Sequence, residues 1–143
     1  MSRNPLATLA RYLWASPATA VGMVMALVAR ACGAHGSMVN GVLEVGGGRL
    51  GAAILRLPRP FAFCAITFGH VIIGVDARSL AQFRAHERVY VGQYERWGIL
   101  FFPLYFASSL WQALRGRRAY WDNHFEREAR GELAMREARP GLK

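Results

Sequence analysis

The residues with the clearest chemical potential lie between Arg84 and Gly98, where His86 is followed directly by Glu87. Positions four apart on a helix share one face. Two histidines at that spacing can bind one zinc ion, while the glutamate between them activates a metal-bound water. Here the second position is occupied by Tyr90. A phenol with a pKa of about 10 is a poor zinc ligand at neutral pH, so we expect an incomplete metal clamp on this helix.

Two further segments fit the same chemistry. Glu126 stands three residues before Ala129 on the last predicted helix. Gluzincin metalloproteases take a glutamate ligand from a downstream helix with the pattern Glu-x-x-Ala-Asp, although Arg130 replaces the aspartate here. Before the motif helix, Gly69-His70-Val71-Ile72 resembles the edge strand that aligns the substrate in those enzymes.

Residues 61–130 resemble a family of small bacterial membrane-associated proteins of unassigned function. The family signature combines Gly-His-Val, His-Glu-x-Val-His-Val-x-Gln-Tyr-Glu-Arg-Trp-Gly-Pro-Leu-Phe and Asp-Asn-Pro-Phe-Glu-x-Glu-Ala. Its most specific part is matched by Gln93–Gly98. The resemblance implies a minimal gluzincin core with His86 and Glu126 as zinc ligands and, in an active site, Glu87 as the catalytic residue. The chain departs from the signature at Tyr90, Ile99 and His124.

The replaced ligand favours a non-catalytic protein that has kept the scaffold and binds no cofactor. Such a protein would be an accessory or structural subunit of a larger bacterial membrane complex, for example a respiratory or photosynthetic one. The alternative is an active membrane-bound zinc metallopeptidase with an atypical ligand set, in which His70 or His124 supplies the missing ligand. Whether the protein is an enzyme therefore stays open at this point, with the balance against catalysis.

Composition limits the class of protein. Of 143 residues, 53% are hydrophobic and 19% charged, which excludes a largely disordered chain. Two cysteines, Cys32 and Cys64, allow at most one disulfide. Because both lie in apolar runs, we expect small buried side chains. The formal net charge of +9 indicates an anionic partner. The arginines flank apolar segments, as in membrane proteins, and no nucleic-acid-binding module is recognisable.

Three apolar segments bear on membrane association. Tyr12–Ala29 is uncharged and near the lower length for a membrane-spanning helix. A cleaved signal peptide is the alternative, but Arg30 fits a cleavage site poorly. Leu50–Val75 is broken by prolines and arginines and does not read as one spanning helix. Gly98–Leu114 is rich in aromatics and reads as an interfacial, re-entrant or buried core helix. The tryptophans predicted at the membrane interface are Trp14, Trp111 and Trp121.

The pattern predicts an α+β fold: a membrane-associated N-terminal helix, a small sheet or hairpin, then three helices resembling a minimal zincin core. We expect a first helix over 5–31, a hairpin around Asn40-Gly41 and one or two strands within 61–75. Asp76 should cap a helix over 77–97 that stops at Gly98. A second helix should end at Leu114, and a third should run over 125–139, capped by Asp122 or Asn123 and stopped by Pro140.

These elements predict two parts. Residues 1–33 would form a membrane-anchoring or interfacial helix, and residues 34–143 a small zincin-like domain with an apolar helix at 98–114. The expected location is the bacterial inner membrane, with the protein integral or tightly peripheral. The expected partners are membrane lipids and a larger integral membrane complex, and not nucleic acid.

Overall fold

The structure, a computed structural model, describes residues 5–58 and 64–138. It is an α+β fold with an N-terminal apolar helix, a four-stranded sheet and further helices, as the sequence predicts. The first helix, α1, runs over Pro5–Ala31. Its buried positions are all alanine or glycine and recur every three or four residues: Ala15, Ala18, Gly22, Ala26 and Ala29. This spacing places them on one side of the helix.

The predicted hairpin is confirmed. Strand β1, His35–Val39, pairs antiparallel with β2, Val42–Gly46. Asn40 and Gly41 connect them, with φ values of 46° and 77°. Positive φ at both central residues defines the type I′ turn, whose twist matches that of the strands it joins. The local sequence is therefore sufficient to predict this turn.

A short helix that the sequence did not predict, α2, runs over Gly48–Ile54. It begins in a glycine-rich stretch that we interpreted as turns. Gly48 has a φ of 68°, and a β-carbon there would lie 2.6 Å from backbone atoms of Cys32 and Ala34. Gly51 passes so near Val75 that a β-carbon would lie 2.0 Å from its carbonyl oxygen. These glycines allow close backbone packing, which a turn-based interpretation of the sequence misses.

Residues 61–75 contain two strands, β3 over Ala65–Phe68 and β4 over Val71–Gly74; residues 61–63 lie outside the described part. The sheet order is β1-β2-β4-β3, with β2 and β4 parallel. Strand β4 is therefore internal, so the expectation of an edge strand at Gly69–Ile72 is wrong. Gly69 and His70 form the turn before it. Another expectation fails nearby: Cys64 is exposed because it precedes β3, and Cys32 is half-buried.

The inner strands of the sheet, β2 and β4, are covered on both faces. On the α1 side, Val71 and Ile73 of β4 pack in a core cluster with Val45 and the alanines of α1. On the other side, Ile72 packs with Leu80 and Val91. Those two residues belong to α3, which runs over Ala77–Trp97. A strand buried on both faces needs apolar residues at consecutive positions, which explains the run Val71-Ile72-Ile73.

Both ends of α3 follow the sequence prediction. Asp76 caps the helix, accepting a hydrogen bond from the Ser79 amide at 2.7 Å. That bond stabilises the carboxylate and lowers the pKa of Asp76. Gly98 ends the helix with a φ of 56°. A β-carbon on Gly98 would lie 2.8 Å from atoms of Trp14, so α1 also requires a small residue at this position.

The chain divides into two compact units, Met1–Gly98 and Ile99–Lys143. A short 3₁₀ turn over Gly98–Leu100 leads into α4, which runs over Phe101–Leu114. Helix α5 follows over His124–Glu137 and is capped by Asn123, one of the two predicted caps. Its expected end at Arg139 and the stop at Pro140 lie outside the described residues. The predicted boundary at residue 33 concerns membrane attachment and stays a prediction.

Candidate functional site

His86 and Glu87 are neighbours on α3 with different surroundings. The Nε2 atom of His86 lies 3.0 Å from the hydroxyl oxygen of Tyr90, one helical turn further on. The two rings meet edge to face, with centroids 5.0 Å apart. Tyr90 is buried. The residue that replaces the expected second histidine therefore interacts with the ring nitrogen that a metal ion would need.

Glu87 points into the core between α3 and the sheet. Its side chain is buried, and its Oε2 atom accepts a hydrogen bond of 2.7 Å from the hydroxyl of Thr67 on β3. Burial and the negative charge of Glu87 together raise the pKa of Tyr94. A general base must lie within hydrogen-bonding reach of a water or a substrate. In this arrangement the Glu87 carboxylate is engaged with the sheet.

Glu126, the predicted third ligand, belongs to the polar core of the second unit. It is buried, and its Oε1 atom accepts a hydrogen bond of 2.6 Å from the hydroxyl of Tyr105. Beside it, the buried Asn123 amide donates to the Tyr105 carbonyl oxygen at 3.0 Å and to Ser109 Oγ at 2.7 Å. Asn123 Oδ1 accepts from the Phe125 amide at 2.9 Å. These bonds join α4 to α5.

The surroundings of His86 and Glu87 bear on the expected zinc site. A protein zinc site needs three or four nitrogen, sulfur or oxygen ligands converging on one point. Within residues 5–58 and 64–138, no three histidine, cysteine, aspartate or glutamate side chains are placed to hold a metal ion. His86 has Tyr90 as its neighbour, and Glu87 has Thr67. Both motif side chains therefore take part in contacts within the first unit.

A second polar cluster, which sequence reasoning did not find, surrounds His70. The His70 side chain is buried in the turn between β3 and β4. Its Nε2 atom lies 3.2 Å from Oε1 of Glu95 on α3, and its Nδ1 atom lies 3.3 Å from Oγ1 of Thr19 on α1. Arg11 adds an ion pair of 3.8 Å to the other oxygen of Glu95. One imidazole thus connects three elements of the first unit.

The order hydroxyl, imidazole, carboxylate is that of a nucleophile with its base, but the hydroxyl is engaged in packing. Thr19 Oγ1 donates to the Ala15 carbonyl oxygen at 3.1 Å and accepts from the His70 amide at 3.1 Å. The ring of Tyr12 stacks on the imidazole, with centroids 3.9 Å apart and an interplanar angle of 14°. These contacts attach α1 to the sheet. Thr19 and His70 are 51 residues apart, so no local pattern indicates the pairing.

The outer side of α1 is the most unusual surface of the first unit. Large apolar side chains point away from the sheet, while the alanines and Gly22 point toward it. Leu13 is 64% exposed and Leu27 is 65% exposed. The other exposed large apolar residues at the ends and middle of the helix include Leu6, Leu9, Val24 and Val28. Among the described residues, α1 is the one helix long and apolar enough to cross a membrane, a test that signal sequences and core helices also pass.

The three tryptophans predicted at a membrane interface are all exposed in part. Trp14, on α1, is about half exposed and donates from Nε1 to the Arg96 carbonyl oxygen at 3.3 Å. Trp111, on α4, and Trp121, before α5, are 54% and 52% exposed. Each of these two rings lies against an arginine guanidinium. Their role at a membrane stays a prediction.

Comparisons of the chain with protein-family models, with curated proteins and with solved structures found no match.

Proposed function

We propose that the protein is a non-catalytic accessory protein of a membrane surface, attached by the outer side of α1. The observation that supports this most directly is the arrangement of side chains along the helix. Its small residues are buried and its leucines and valines are exposed, the reverse of a core helix in a water-soluble domain. Burying a large aliphatic side chain is favourable by about 1.5–3 kcal/mol relative to leaving it in water.

The packing of α1 favours an interfacial position over a spanning one. Gly22 lies against Val71 and Phe68, and Tyr12 contacts both His70 and the hairpin turn at Gly41. If α1 crossed the bilayer, it would carry the sheet beside it into the hydrocarbon. Unpaired backbone groups at sheet edges are very costly there. An amphipathic helix lying in the interface buries its apolar side while the attached domain stays in water.

The interfacial helix also explains the polar contacts on the opposite side of α1. Arg11 pairs with Glu95, and Tyr12 stacks on His70. The outer side contains no charged residue from Tyr12 to Ala29. Arg30 follows this stretch directly and is exposed, so its side chain can reach lipid headgroups. The helix therefore offers one uncharged apolar surface.

The non-catalytic part of the proposal rests on the contacts of the motif residues. His86 interacts with Tyr90, and Glu87 with Thr67, so the two groups that a zinc peptidase needs are used for packing. We propose that this scaffold serves assembly at the membrane surface, as an accessory subunit of a larger integral complex. The bacterial inner membrane as its location is our expectation from the family resemblance alone.

Vesicle flotation tests the attachment. Leu13→Gln/Leu27→Gln changes two exposed side chains of α1, and Met38→Gln/Leu55→Gln changes two equally exposed ones outside it. We expect the first pair to lower the fraction of protein floating with phosphatidylcholine vesicles at least tenfold, because about 3 kcal/mol or more of apolar transfer is lost. The second pair should float like the wild type. Equal effects of the two pairs would contradict attachment through α1.

Metal analysis tests the absence of catalysis. We expect the purified protein to contain zinc well below one equivalent, and His86→Ala to leave that amount unchanged. Stoichiometric zinc that disappears in His86→Ala would instead support the metallopeptidase. The variant Tyr90→His asks whether the scaffold still accepts a metal, because it restores imidazoles four residues apart on α3.

A further inference from the structure

The end of α4 combines a strong positive charge with apolar and aromatic side chains. The segment 115–121 contains three arginines and no acidic residue. All three arginines, Arg115, Arg117 and Arg118, are exposed. The last two turns of α4 expose Leu110, Trp111 and Leu114. The apolar side chains match the acyl boundary of a lipid interface, and the basic and aromatic residues that follow them match its headgroup layer.

The backbone fixes where these arginines emerge. Gly116 has a φ of 70° and donates to the Ala113 carbonyl oxygen at 3.0 Å, while the Arg117 amide donates to that of Gln112 at 2.9 Å. This Schellman-type ending reverses the chain directly after α4. The Arg118 amide then donates to Asp122 Oδ2 at 2.9 Å. The loop is therefore tied at both ends, and little ordering entropy remains to be lost on binding.

Tryptophan rings orient the guanidinium groups. The Arg115 guanidinium lies 4.7 Å from the centre of the Trp111 ring. Trp121 has Arg118 at 6.0 Å and Arg130 at 5.0 Å from its ring centre. A guanidinium stacked on a ring keeps its N–H groups in the plane, where two of them can bind one phosphate. An ion pair between Arg136 and Glu132 lies on α5, outside this segment.

We infer that this Arg-Trp segment, residues 110–121, binds the phosphate groups of anionic phospholipids. The inference rests on the proposed membrane attachment and adds a lipid class and a second contact surface to it. Leu110, Trp111 and Leu114 would enter the acyl boundary. Arg115, Arg117 and Arg118 would lie at the level of the phosphates. A basic residue at an anionic membrane changes binding about fivefold, so three together amount to about a hundredfold.

The test compares the full-length protein on vesicles of phosphatidylcholine alone and on an equal mixture with phosphatidylglycerol. Arg115→Gln/Arg117→Gln/Arg118→Gln removes three charges from the segment. Arg49→Gln/Arg56→Gln/Arg127→Gln is the matched control, since it removes three exposed charges elsewhere. We expect the first variant to lose most of a preference of about a hundredfold for the anionic vesicles at low salt, and the control to keep it. Added salt should reduce the wild-type preference.

The outcomes separate this inference from the proposed function. If both triple variants reduce the preference equally, general charge and not the Arg-Trp segment is responsible, and the inference is overturned. A wild type that binds both vesicles equally would also overturn it while leaving attachment through α1 intact. A protein that binds neither vesicle would refute the proposed function. Binding of a single-stranded oligonucleotide that the segment variant loses, without any vesicle preference, would replace lipid with nucleic acid as the partner.

Discussion

Gly22 offers a quantitative test of how α1 sits on the sheet. A β-carbon at this position would lie 2.7 Å from Cβ of Val71 and 2.9 Å from the Phe68 carbonyl oxygen. An ordinary contact between carbon atoms is about 3.5 Å or longer, so α1 would have to move outward by roughly 0.8 Å. Neither contacted atom can swing aside by a rotamer change, because one is a backbone atom and the other is bonded to the backbone.

Gly92 provides the control for the same chemical change. It is exposed on α3, and a β-carbon there would meet no other atom within 4 Å. Gly→Ala inside a helix is stabilising by about 0.5–1 kcal/mol through backbone entropy. Gly92→Ala should therefore raise the free energy of unfolding by about that amount. Gly22→Ala should gain the same helix term but lose about 2–3 kcal/mol to overpacking.

The two variants should thus differ in stability by about 2–3 kcal/mol, which is the overpacking cost alone. Unfolding of the protein by urea in mild detergent, followed by circular dichroism, measures this difference in the free energy of unfolding. For a unit of this size it corresponds to a separation in Tm of about 8–24 °C. If both substitutions stabilised the protein equally, α1 would not pack closely on β4, and the explanation of its alanine and glycine positions would be wrong.

Two other predictions concern buried groups of the first unit. His70→Ala should lower the free energy of unfolding by about 2–4 kcal/mol, because Glu95 and Thr19 lose a buried partner; His35→Ala, at an exposed position, should change it by less than about 0.5 kcal/mol. Trypsin should also cleave after Arg11 faster in His70→Ala, and unchanged cleavage would argue against this anchor. For Tyr94, whose pKa is raised by burial and by Glu87, the unfolded phenol ionises at about pH 10 while the folded one stays protonated. The free energy of unfolding should therefore fall as the pH rises above about 10, and it should fall by about 1.4 kcal/mol per pH unit more in the wild type than in Tyr94→Phe. Urea titrations at alkaline pH measure both dependences. The same slope of unfolding free energy against pH in the two chains would refute the assignment.

The sequence predicted those elements whose signals are local. The Asn40-Gly41 turn follows from residues that tolerate a positive φ. The start of α3 follows from a carboxylate placed three residues before a free amide. Its end follows from Gly98. Each of these features depends on contacts within one or two helical turns, and such contacts can be recognised from spacing alone.

Features that depend on distant parts of the chain were missed. The glycines around α2 were interpreted as turns because their close approach to Cys32 and Val75 is tertiary. The sequence predicts an edge strand where β4 lies inside the sheet, because the parallel pairing with β2 cannot be recognised from either strand alone. The cluster around His70 unites residues from three elements, so no periodicity indicates it.

For the candidate site, the sequence determined that a phenol stands four residues after His86 and that α1 is a long apolar helix. Only the tertiary structure decided which side of that helix is buried and that Glu87 turns to Thr67. The physical reason is that helix patterns give the spacing of residues on a surface, whereas burial depends on the shape of what packs against it. Gly69 and Gly98 approach α1 closely at Thr19 and Trp14, so the small side of the helix faces inward and its leucines and valines stay exposed.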